Sequence, residues 1–174
     1  MSDILILCDD HQHLALLDQG LDALRELGIP FSLRLSSAHK APGSLQVLLE
    51  GFAANQGKVL ICAAEQATLQ ASFVAAYSCL PVLVVNLGID QESEAKAVAM
   101  PAGFPLAFFG SGSSAFVNAC TYAAQILSVH DQALKEKLRL DRLRLLAQLT
   151  EADVEQRLDF SPMEQDSLTP LAKN

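Results

Sequence analysis

The sequence predicts an α/β protein of three layers: a doubly wound, parallel five-stranded sheet between two layers of helices, with an appended C-terminal helix. Short apolar runs alternate with segments of helical periodicity along most of the 174 residues. The connections are too short for anything but right-handed crossovers between parallel strands. The run from Pro81 to Leu87 is nearly all aliphatic, which is typical of a central parallel strand covered on both faces.

Composition limits the partners that this chain can bind. Of its residues 51% are hydrophobic, and the formal net charge is −8 with only 12 Lys and Arg. Nucleic acids and anionic membranes bind clustered positive charge, so we expect neither as a partner. No apolar run is long enough to span a bilayer, and no basic segment precedes an apolar one at the N-terminus. We therefore expect a cytoplasmic protein, in which the cysteines, standing singly in apolar segments, are buried and reduced.

The first half of the chain contains three predicted strands with two helices between them. The strands are Asp3 to Leu7, Phe31 to Leu35 and Lys58 to Ala63. Leucines recur at helical spacing from Leu14 to Leu24, and Gly28-Ile29-Pro30 ends this helix. A second apolar stripe, from Leu45 to Phe52, predicts the next helix, with Gly57 at its end. Each strand is thus joined to the next by one helix.

The second half continues the alternation of strand and helix. Its predicted elements are an Ala-rich buried helix from Ala67 to Cys79, the aliphatic strand, a weakly helical stretch from Gln91 to Ala99, a fifth strand from Phe104 to Phe109, and a helix from Ala115 to Leu127. Five strands in this rhythm suggest a flavodoxin-like strand order. We assign residues 1–129 to one α/β domain.

The pattern changes at His130. Residues 130–160 predict a charged amphipathic helix, in which Leu134, Leu138 and Leu145 are spaced among lysines and arginines. A helix appended to a finished α/β domain usually packs on a neighbour, and we expect this one to pack on another subunit. Residues 161–174 are polar with two prolines, and we expect a frayed tail there.

The loop after the second predicted strand contains the most reactive pair of side chains. Ser36 to Pro42 precedes a helix, so His39 and Lys40 lie at the carboxyl end of a strand, where open α/β sheets bind their ligands. Imidazole exchanges a proton near neutral pH, and an ammonium group holds an anion. A loop histidine beside a solvated lysine, with no chemical role, is the alternative that spacing alone leaves open.

Three segments carry a resemblance to a known family. Ser37-Ala38-His39-Lys40-Ala41-Pro42 resembles the S-A-H-R-T-P motif of the PurE family, the carboxyaminoimidazole ribonucleotide mutases and aminoimidazole ribonucleotide carboxylases of purine synthesis. Met100-Pro101-Ala102-Gly103-Phe104-Pro105 looks like that family's M-P-x-G-I-P. Asn118-Ala119 and the run Ala123 to Leu127 are similar to its N-A-x-L-x-A-A-Q-I-L helix. The segments occur in the family's order.

The resemblance implies a homo-octamer whose C-terminal helix reaches a neighbouring subunit, with a site shared between subunits. It implies that His39 is the general acid/base, which moves a proton at the imidazole ring carbon of a small ribonucleotide while carbon dioxide is transferred. Lys40 stands where the family has an arginine that helps to hold the substrate phosphate. Ser37 and Ala38 are the neighbouring substrate-binding residues, and no cofactor is expected.

Three loops depart from the family at the expected ligand site. The first loop, G-S-x-S-D in the family, is replaced by Cys8-Asp9-Asp10-His11-Gln12-His13, which is one residue longer. After the third strand, the glycine-rich G-x-G-G-A-A-H-L-P-G is replaced by Cys62 to Ala71, which contains Glu65 and no glycine. The S-G-x-D-S-L-x-S segment after the fourth strand is missing. Carboxylates repel a phosphate and glycines let a backbone approach it closely, so these changes bear on phosphate binding.

We expect Asp9, Asp10 and Glu65 to line the opening of the ligand site at the carboxyl ends of the strands, which we call the mouth. The first and third strands should be adjacent in this strand order, so these carboxylates would share the mouth with His39. Their negative field repels phosphate and favours a neutral or cationic small molecule. Two functions therefore stay open. One is a family enzyme that acts on carboxylated aminoimidazole ribonucleotide through His39, and the other is a catalytically altered relative that binds another small ligand or serves as an oligomeric scaffold.

Two other clusters admit a functional interpretation. Five possible metal ligands stand together: Cys8, Asp9, Asp10, His11 and His13. Neighbouring residues rarely point at one ion, so we expect an N-capping loop and no metal. The N–H groups of Gly110 to Ser114 could bind an anion, but a serine N-cap is the simpler interpretation. Cys8 has no positive neighbour to lower its pKa, which argues against a nucleophile.

Overall fold

A computed structural model of the chain describes residues 2–65, 67–88 and 100–159. Its sheet has five parallel strands in the order β2-β1-β3-β4-β5. The strands are β1 (Ile4–Cys8), β2 (Phe31–Leu35), β3 (Val59–Ala64), β4 (Val82–Asn86) and β5 (Ala107–Ser111). The helices of the described ranges are α1 (Asp18–Leu27), α2 (Pro42–Ala54), α3 (Ala67–Tyr77), α4 (Gly112–Ser128) and α5 (Gln132–Asp159). The predicted doubly wound, flavodoxin-like α/β fold is confirmed.

The three central strands form the core of the sheet. Every residue of β1, β3 and β4 is buried, as the aliphatic composition of these strands predicts. The two edge strands are partly exposed, which explains why β2 alternates apolar and polar residues. The predicted helical stretch from Gln91 to Ala99 and the predicted tail over 161–174 lie outside the described residues.

The first helix begins later than its leucine pattern suggests. A 3₁₀ helix, His11–Leu16, comes first, and α1 starts at Asp18. The cause is the carboxylate of Asp10, which accepts a hydrogen bond from the Gln12 N–H at 3.1 Å and so starts a helical turn early. Gly28 ends α1 with φ of 75°, a left-handed conformation that glycine adopts without strain.

Helix α2 starts with Pro42 in its first turn, as expected, whereas α4 starts earlier than the sequence predicts. Pro42 stands in the first turn of α2, where its missing N–H has no cost. Helix α4 begins at Gly112, three residues before the predicted start, and Ser111 occupies the N-cap position with an extended backbone. A serine therefore occupies the N-cap position, as expected, but its side chain makes no capping hydrogen bond.

The prediction of four buried thiols is wrong for one cysteine. Cys8, Cys62 and Cys120 are buried, whereas Cys79 is exposed. Helix α3 ends at Tyr77, so Cys79 lies in the connection to β4 and not on the buried face of a helix. Burial raises the pKa of Cys62 and of Cys120 to about 12.

The chain divides into two compact units, Met1–Lys135 and the part from Glu136 onward. The first unit contains the sheet and helices α1 to α4. In the second unit, Arg139 and Arg144 each pair with a carboxylate three residues earlier on α5, Glu136 at 2.7 Å and Asp141 at 3.1 Å. Within the ranges described, no helix combines the length and the apolar composition that crossing a membrane requires.

Candidate functional site

Three loops leave the sheet side by side, at the carboxyl ends of β2, β1 and β3. Cys8, the last residue of β1, is in register with Leu35 of β2 and with Ala63 of β3. The Ser36 N–H donates to the Cys8 carbonyl at 2.8 Å and extends the pairing by one residue. The expected adjacency of the first and third strands is therefore confirmed, and the candidate residues on these loops lie at one edge of the sheet.

The His39 loop is a tight turn that is stabilised by hydrogen bonds of its backbone. The Ala41 N–H donates to the Ser37 carbonyl at 3.0 Å, and the Lys40 N–H donates to Ser37 Oγ at 3.3 Å. The side chains of His39 and Lys40 are exposed above this turn. The turn thus presents an imidazole and an ammonium group to solvent while its backbone is largely bonded.

Gln70 on α3 makes hydrogen bonds to the backbone of this turn, a role that the sequence did not indicate. Its Oε1 accepts from the Ala38 N–H at 2.9 Å, and its Nε2 donates to the Ser36 carbonyl at 2.7 Å. The side chain is 3% exposed, so both ends of the amide are used in a buried place. A signal was available, because Gln70 falls on the stripe that buries Ala67 and Val74, where a polar residue requires a partner.

Asp9 joins the loop after β1 to the loop after β3. Its Oδ2 accepts from the backbone N–H of Glu65 at 3.0 Å, and its Oδ1 lies 3.2 Å from His13 Nδ1. Glu65 therefore contributes its backbone to this contact. Its side chain lies over the next loop, since Glu65 Cγ is 3.1 Å from where a Cβ on Gly88 would be. Only a glycine fits beneath that side chain without displacing it.

Asp10 caps the 3₁₀ helix and also faces the His39 loop. Its Oδ1 lies 2.8 Å from His11 Nδ1, and its Oδ2 lies 3.9 Å from Lys40 Nζ. The hydrogen bond from the Gln12 N–H, followed by the charges of His11 and Lys40, lowers the pKa of Asp10. The expected N-capping loop is present, and the same carboxylate takes part in a long ion pair at the mouth.

Cys8, Asp9 and His13 come together beside this pair. One ligand atom from each residue lies within 4.8 Å of the other two. Cys8 Sγ donates to the Asp10 carbonyl at 3.1 Å. Burial, with a smaller contribution from the two neighbouring carboxylates, raises the pKa of the Cys8 thiol, which agrees with the argument against a nucleophile.

Comparison with known proteins identifies the relatives of this chain. The family described as AIR carboxylase matches residues 3–147. A protein of Brucella melitensis named N5-carboxyaminoimidazole ribonucleotide mutase is 33% identical over 140 residues, which are 78% of this chain and 86% of the relative. A Bacillus subtilis protein of the same name is 36% identical over 123 residues, 67% of this chain and 75% of the relative.

A solved structure supports the same fold. The crystal structure of Treponema denticola PurE is similar with a TM-score of 0.78 at 20% sequence identity, and the match covers 87% of this chain and 96% of that one. The family match spans most of the chain, and the Brucella relative exceeds 30% identity over more than two thirds of it. This chain belongs to the AIR carboxylase (PurE) family.

Proposed function

We propose that this chain acts on an aminoimidazole ribonucleotide, in the mutase or carboxylase step of purine synthesis, at a site with a weakened hold on the substrate phosphate. The observation that carries the proposal is the His39 loop. This loop matches the family motif, and Gln70 holds its backbone at Ser36 and Ala38. A loop fixed in this way keeps an acid/base side chain in position for reaction.

The chemistry requires one group that carries a proton. The bond from the carboxyl carbon to one atom of the substrate breaks, and that atom takes up a proton. The carboxyl carbon forms a bond to the ring carbon, which gives up its own proton. His39 is exposed at the mouth, and a neutral imidazole accepts a proton near neutral pH. In the reverse direction the protonated imidazole returns the proton to the same carbon. His39 therefore serves as general base and general acid.

Lys40 is the cation of the motif that is available to a phosphate. Its pair with Asp10 spans 3.9 Å and both groups are partly solvated, so the attraction is small and Lys40 can turn to a ligand at little cost. Ser37 and Ala38 complete the substrate-binding turn. The carboxylates of Asp9 and Asp10 remain nearby and oppose an anion, which is the reason for a weak hold on phosphate.

A second candidate function follows from the fixed carboxylates. Hydrogen bonds from Glu65 and Gln12 tie Asp9 and Asp10 in place, so the negative charge cannot turn away from the mouth without breaking them. A mouth of this charge suits a neutral or cationic small molecule. The second candidate is a catalytically altered family member that binds such a ligand, or one that only assembles.

The test of the first candidate is turnover by the natural chain and by His39→Asn. We expect weak turnover of carboxyaminoimidazole ribonucleotide by the natural chain and none by His39→Asn, with the two proteins unfolding at the same denaturant concentration. His130→Asn, which replaces an exposed histidine outside the mouth, is the matched control and should leave the rate unchanged. Absence of turnover by the natural chain would refute the first candidate in favour of the second.

We also propose that the chain is a cytoplasmic homo-octamer, in which α5 packs on another subunit. Leucines occupy opposite sides of α5: Leu140 is 43% exposed on one side, and Leu149, nine residues later, is 68% exposed on the other. A helix with apolar residues on both sides is normally covered on both, and a second copy of the chain is the partner that the family resemblance implies.

Deleting everything beyond Ser128 tests the role of α5. We expect the oligomer to fall to smaller species in multi-angle light scattering, because the exposed leucines are lost with the helix. Deletion of residues 161–174 alone is the matched control and should leave the mass unchanged. An oligomer of unchanged mass after the longer deletion would contradict intersubunit packing by α5.

A further inference from the structure

We propose that Cys8, Asp9 and His13 form a binding site for a divalent zinc ion at the carboxyl end of β1. The three residues supply a sulfur, an oxygen and a nitrogen ligand, whose atoms lie within 4.8 Å of one another. Thiolate and imidazole ligands favour zinc over magnesium or calcium, which prefer sites made wholly of oxygen. His39 is not one of the ligands, and the site does not depend on the proposed role of His39. A bound ion would offset the charge that Asp9 places at the mouth in the metal-free protein.

The distances fit a tetrahedral zinc ion. Asp9 Oδ1 and His13 Nδ1 are 3.2 Å apart. Two ligands of a tetrahedral zinc at ordinary bond lengths are about 3.3 Å apart when both are oxygen or nitrogen, and about 3.5 Å apart when one is sulfur. The Asp9 and His13 atoms therefore already have the required spacing. A shift of the Cys8 sulfur on the order of 1 Å completes the arrangement.

The three ligands are held in place by groups that are not themselves ligands or by the sheet. The Glu65 N–H binds Asp9 Oδ2 and leaves Oδ1 directed to the cluster. Asp10 caps the 3₁₀ helix that contains His13. Cys8 ends a fully buried strand. Outer contacts of this kind orient the ligands of protein metal sites and support their affinity.

The ligand charges balance that of the zinc ion, and the fourth coordination position of the ion is accessible. A thiolate and a carboxylate offset the double positive charge of the ion, and binding releases the thiol proton of Cys8 to solvent. The His13 and Asp9 side chains are 12% and 20% exposed, so water or an oxygen atom of a ligand can reach the ion from the mouth. Sites with three protein ligands and one open position are the arrangement that zinc adopts where it meets small molecules.

The cluster is also a feature of this chain and not of the family motif. The family's first loop, G-S-x-S-D, contains neither cysteine nor histidine and is one residue shorter. Here the loop supplies all three ligands and the 3₁₀ turn that brings His13 back to Asp9. The alternative is a hydrogen-bond network without an ion, in which His13 contacts Asp9 and the Cys8 thiol donates to the Asp10 carbonyl.

Cobalt and zinc titrations of the full chain distinguish a zinc site from a hydrogen-bond network without an ion. Cys79→Ser serves as the background, so that the exposed thiol contributes no signal. We expect Co²⁺ to produce a near-ultraviolet sulfur-to-cobalt charge-transfer band that Zn²⁺ removes and that Cys8→Ser abolishes. His13→Gln should weaken Zn²⁺ binding by at least about 100-fold, since loss of an outer contact alone costs about 10- to 100-fold.

His11→Gln is the matched control, because His11 contacts Asp10 and lies outside the cluster. It should change Zn²⁺ affinity by less than about threefold, a range below the effect of outer contacts. Absence of the charge-transfer band in the background protein, or equal losses at His11 and His13, overturns the proposal. If Cys8→Ser fails to fold, the Zn²⁺ affinities of Asp9→Asn and His13→Gln decide the question, because these two side chains are less buried than that of Cys8.

Discussion

Two loops that leave neighbouring strands at one edge of the sheet are held by different chemistry. The loop after β2, which contains His39, matches the family motif and is held by the neutral buried amide of Gln70. The loop after β1, Cys8 to His13, departs from the family's G-S-x-S-D motif and is held by the carboxylates of Asp9 and Asp10. The first loop is anchored to α3 through Gln70, and the second to the β3–α3 connection through the Glu65 N–H. Both anchors fall in the segment from Cys62 to Ala71, which contains no glycine.

The two loops differ in the charge that their anchoring groups add at the mouth. An amide adds no net charge, so it fixes the His39 loop and leaves the electric field at the mouth unchanged. Asp9 and Asp10 also fix their loop through hydrogen bonds. However, they place negative charge in a loop that, in the family's G-S-x-S-D, begins with small residues and hydroxyls. Both loops are thus held in place, one by a neutral amide and the other by carboxylates, and the proposed function attributes a weaker hold on phosphate to the second.

The largest expected effect is that of Gln70→Leu. This change leaves the Ala38 N–H and the Ser36 carbonyl without their buried partner, and each unsatisfied group costs about 1–3 kcal/mol. We expect the free energy of unfolding to fall by about 2–4 kcal/mol in urea titrations. Amide hydrogen exchange at Ala38 should accelerate, while the amide of Glu65 in the other loop keeps its rate.

Gln125→Leu is the matched control, since the same chemical change is made at an exposed position of a helix. It should alter the free energy of unfolding by no more than about 0.5 kcal/mol. Equal effects of the two substitutions would show that Gln70 does not hold the His39 loop. Faster exchange at Glu65 would show that the two loops are not anchored independently.

The architecture and the position of His39 were predictable because they depend on local patterns. Apolar runs mark the buried strands, and parallel strands bring the residues that follow them to one edge. The neighbourhood of Asp9, Asp10 and Glu65 followed from that rule alone. The individual contacts did not follow from it: the backbone N–H of Glu65 contacts Asp9, and Glu65 Cγ lies close to Gly88.

The contacts that the sequence did not indicate join residues far apart in the chain. Gln70 reaches Ser36 and Ala38 across more than 30 residues, and no periodicity relates them. The convergence of Cys8, Asp9 and His13 was also missed, because the interpretation assumed that close neighbours point apart. The 3₁₀ turn that returns His13 to Asp9 depends on the cap at Asp10, a detail of backbone geometry.

The next largest effect is on the affinity for aminoimidazole ribonucleotide, and it tests whether the carboxylates of the loop after β1 oppose its phosphate. Replacing both carboxylates, in Asp9→Ser/Asp10→Gly, removes the repulsion at the mouth and frees Lys40 for the phosphate. Two charges several ångströms from a phosphate in partly solvated surroundings contribute roughly 1–2 kcal/mol. We expect aminoimidazole ribonucleotide to bind on the order of tenfold more tightly in calorimetric titrations, with a chelator present so that no metal contributes.

Glu26→Gln/Glu50→Gln provides the control, because it removes two exposed carboxylates outside the mouth and changes the net charge equally. Binding should then change by less than about twofold, since charges beyond a Debye length are screened. No gain in Asp9→Ser/Asp10→Gly, or tight binding by the natural chain, would show that these carboxylates do not govern the pocket.

The smallest effect is the pH dependence of the carboxylate-held loop, measured through Asp10→Asn. Asparagine also caps helices, so the substitution removes the charge and keeps the hydrogen bond from the Gln12 N–H. The folded-state pKa of Asp10 lies below its ordinary value of 3.8, first because of that hydrogen bond and then because of His11 and Lys40. A lowered pKa stabilises the fold above the ordinary value, and this stabilisation is lost as the pH falls through the folded-state value.

Urea midpoints of the natural chain and of Asp10→Asn should therefore differ at about pH 5.5, and the difference should shrink as the pH falls below the ordinary pKa of a carboxyl group. Other titrating groups are common to both proteins, so they cancel in the difference. Asp10→Ser, a second neutral cap, should behave like Asp10→Asn, and moderate salt should reduce the contributions of His11 and Lys40 more than that of the hydrogen bond. A difference that is constant with pH would mean that the charge of Asp10 does not stabilise the loop, which would leave the backbone cap as the whole of its role.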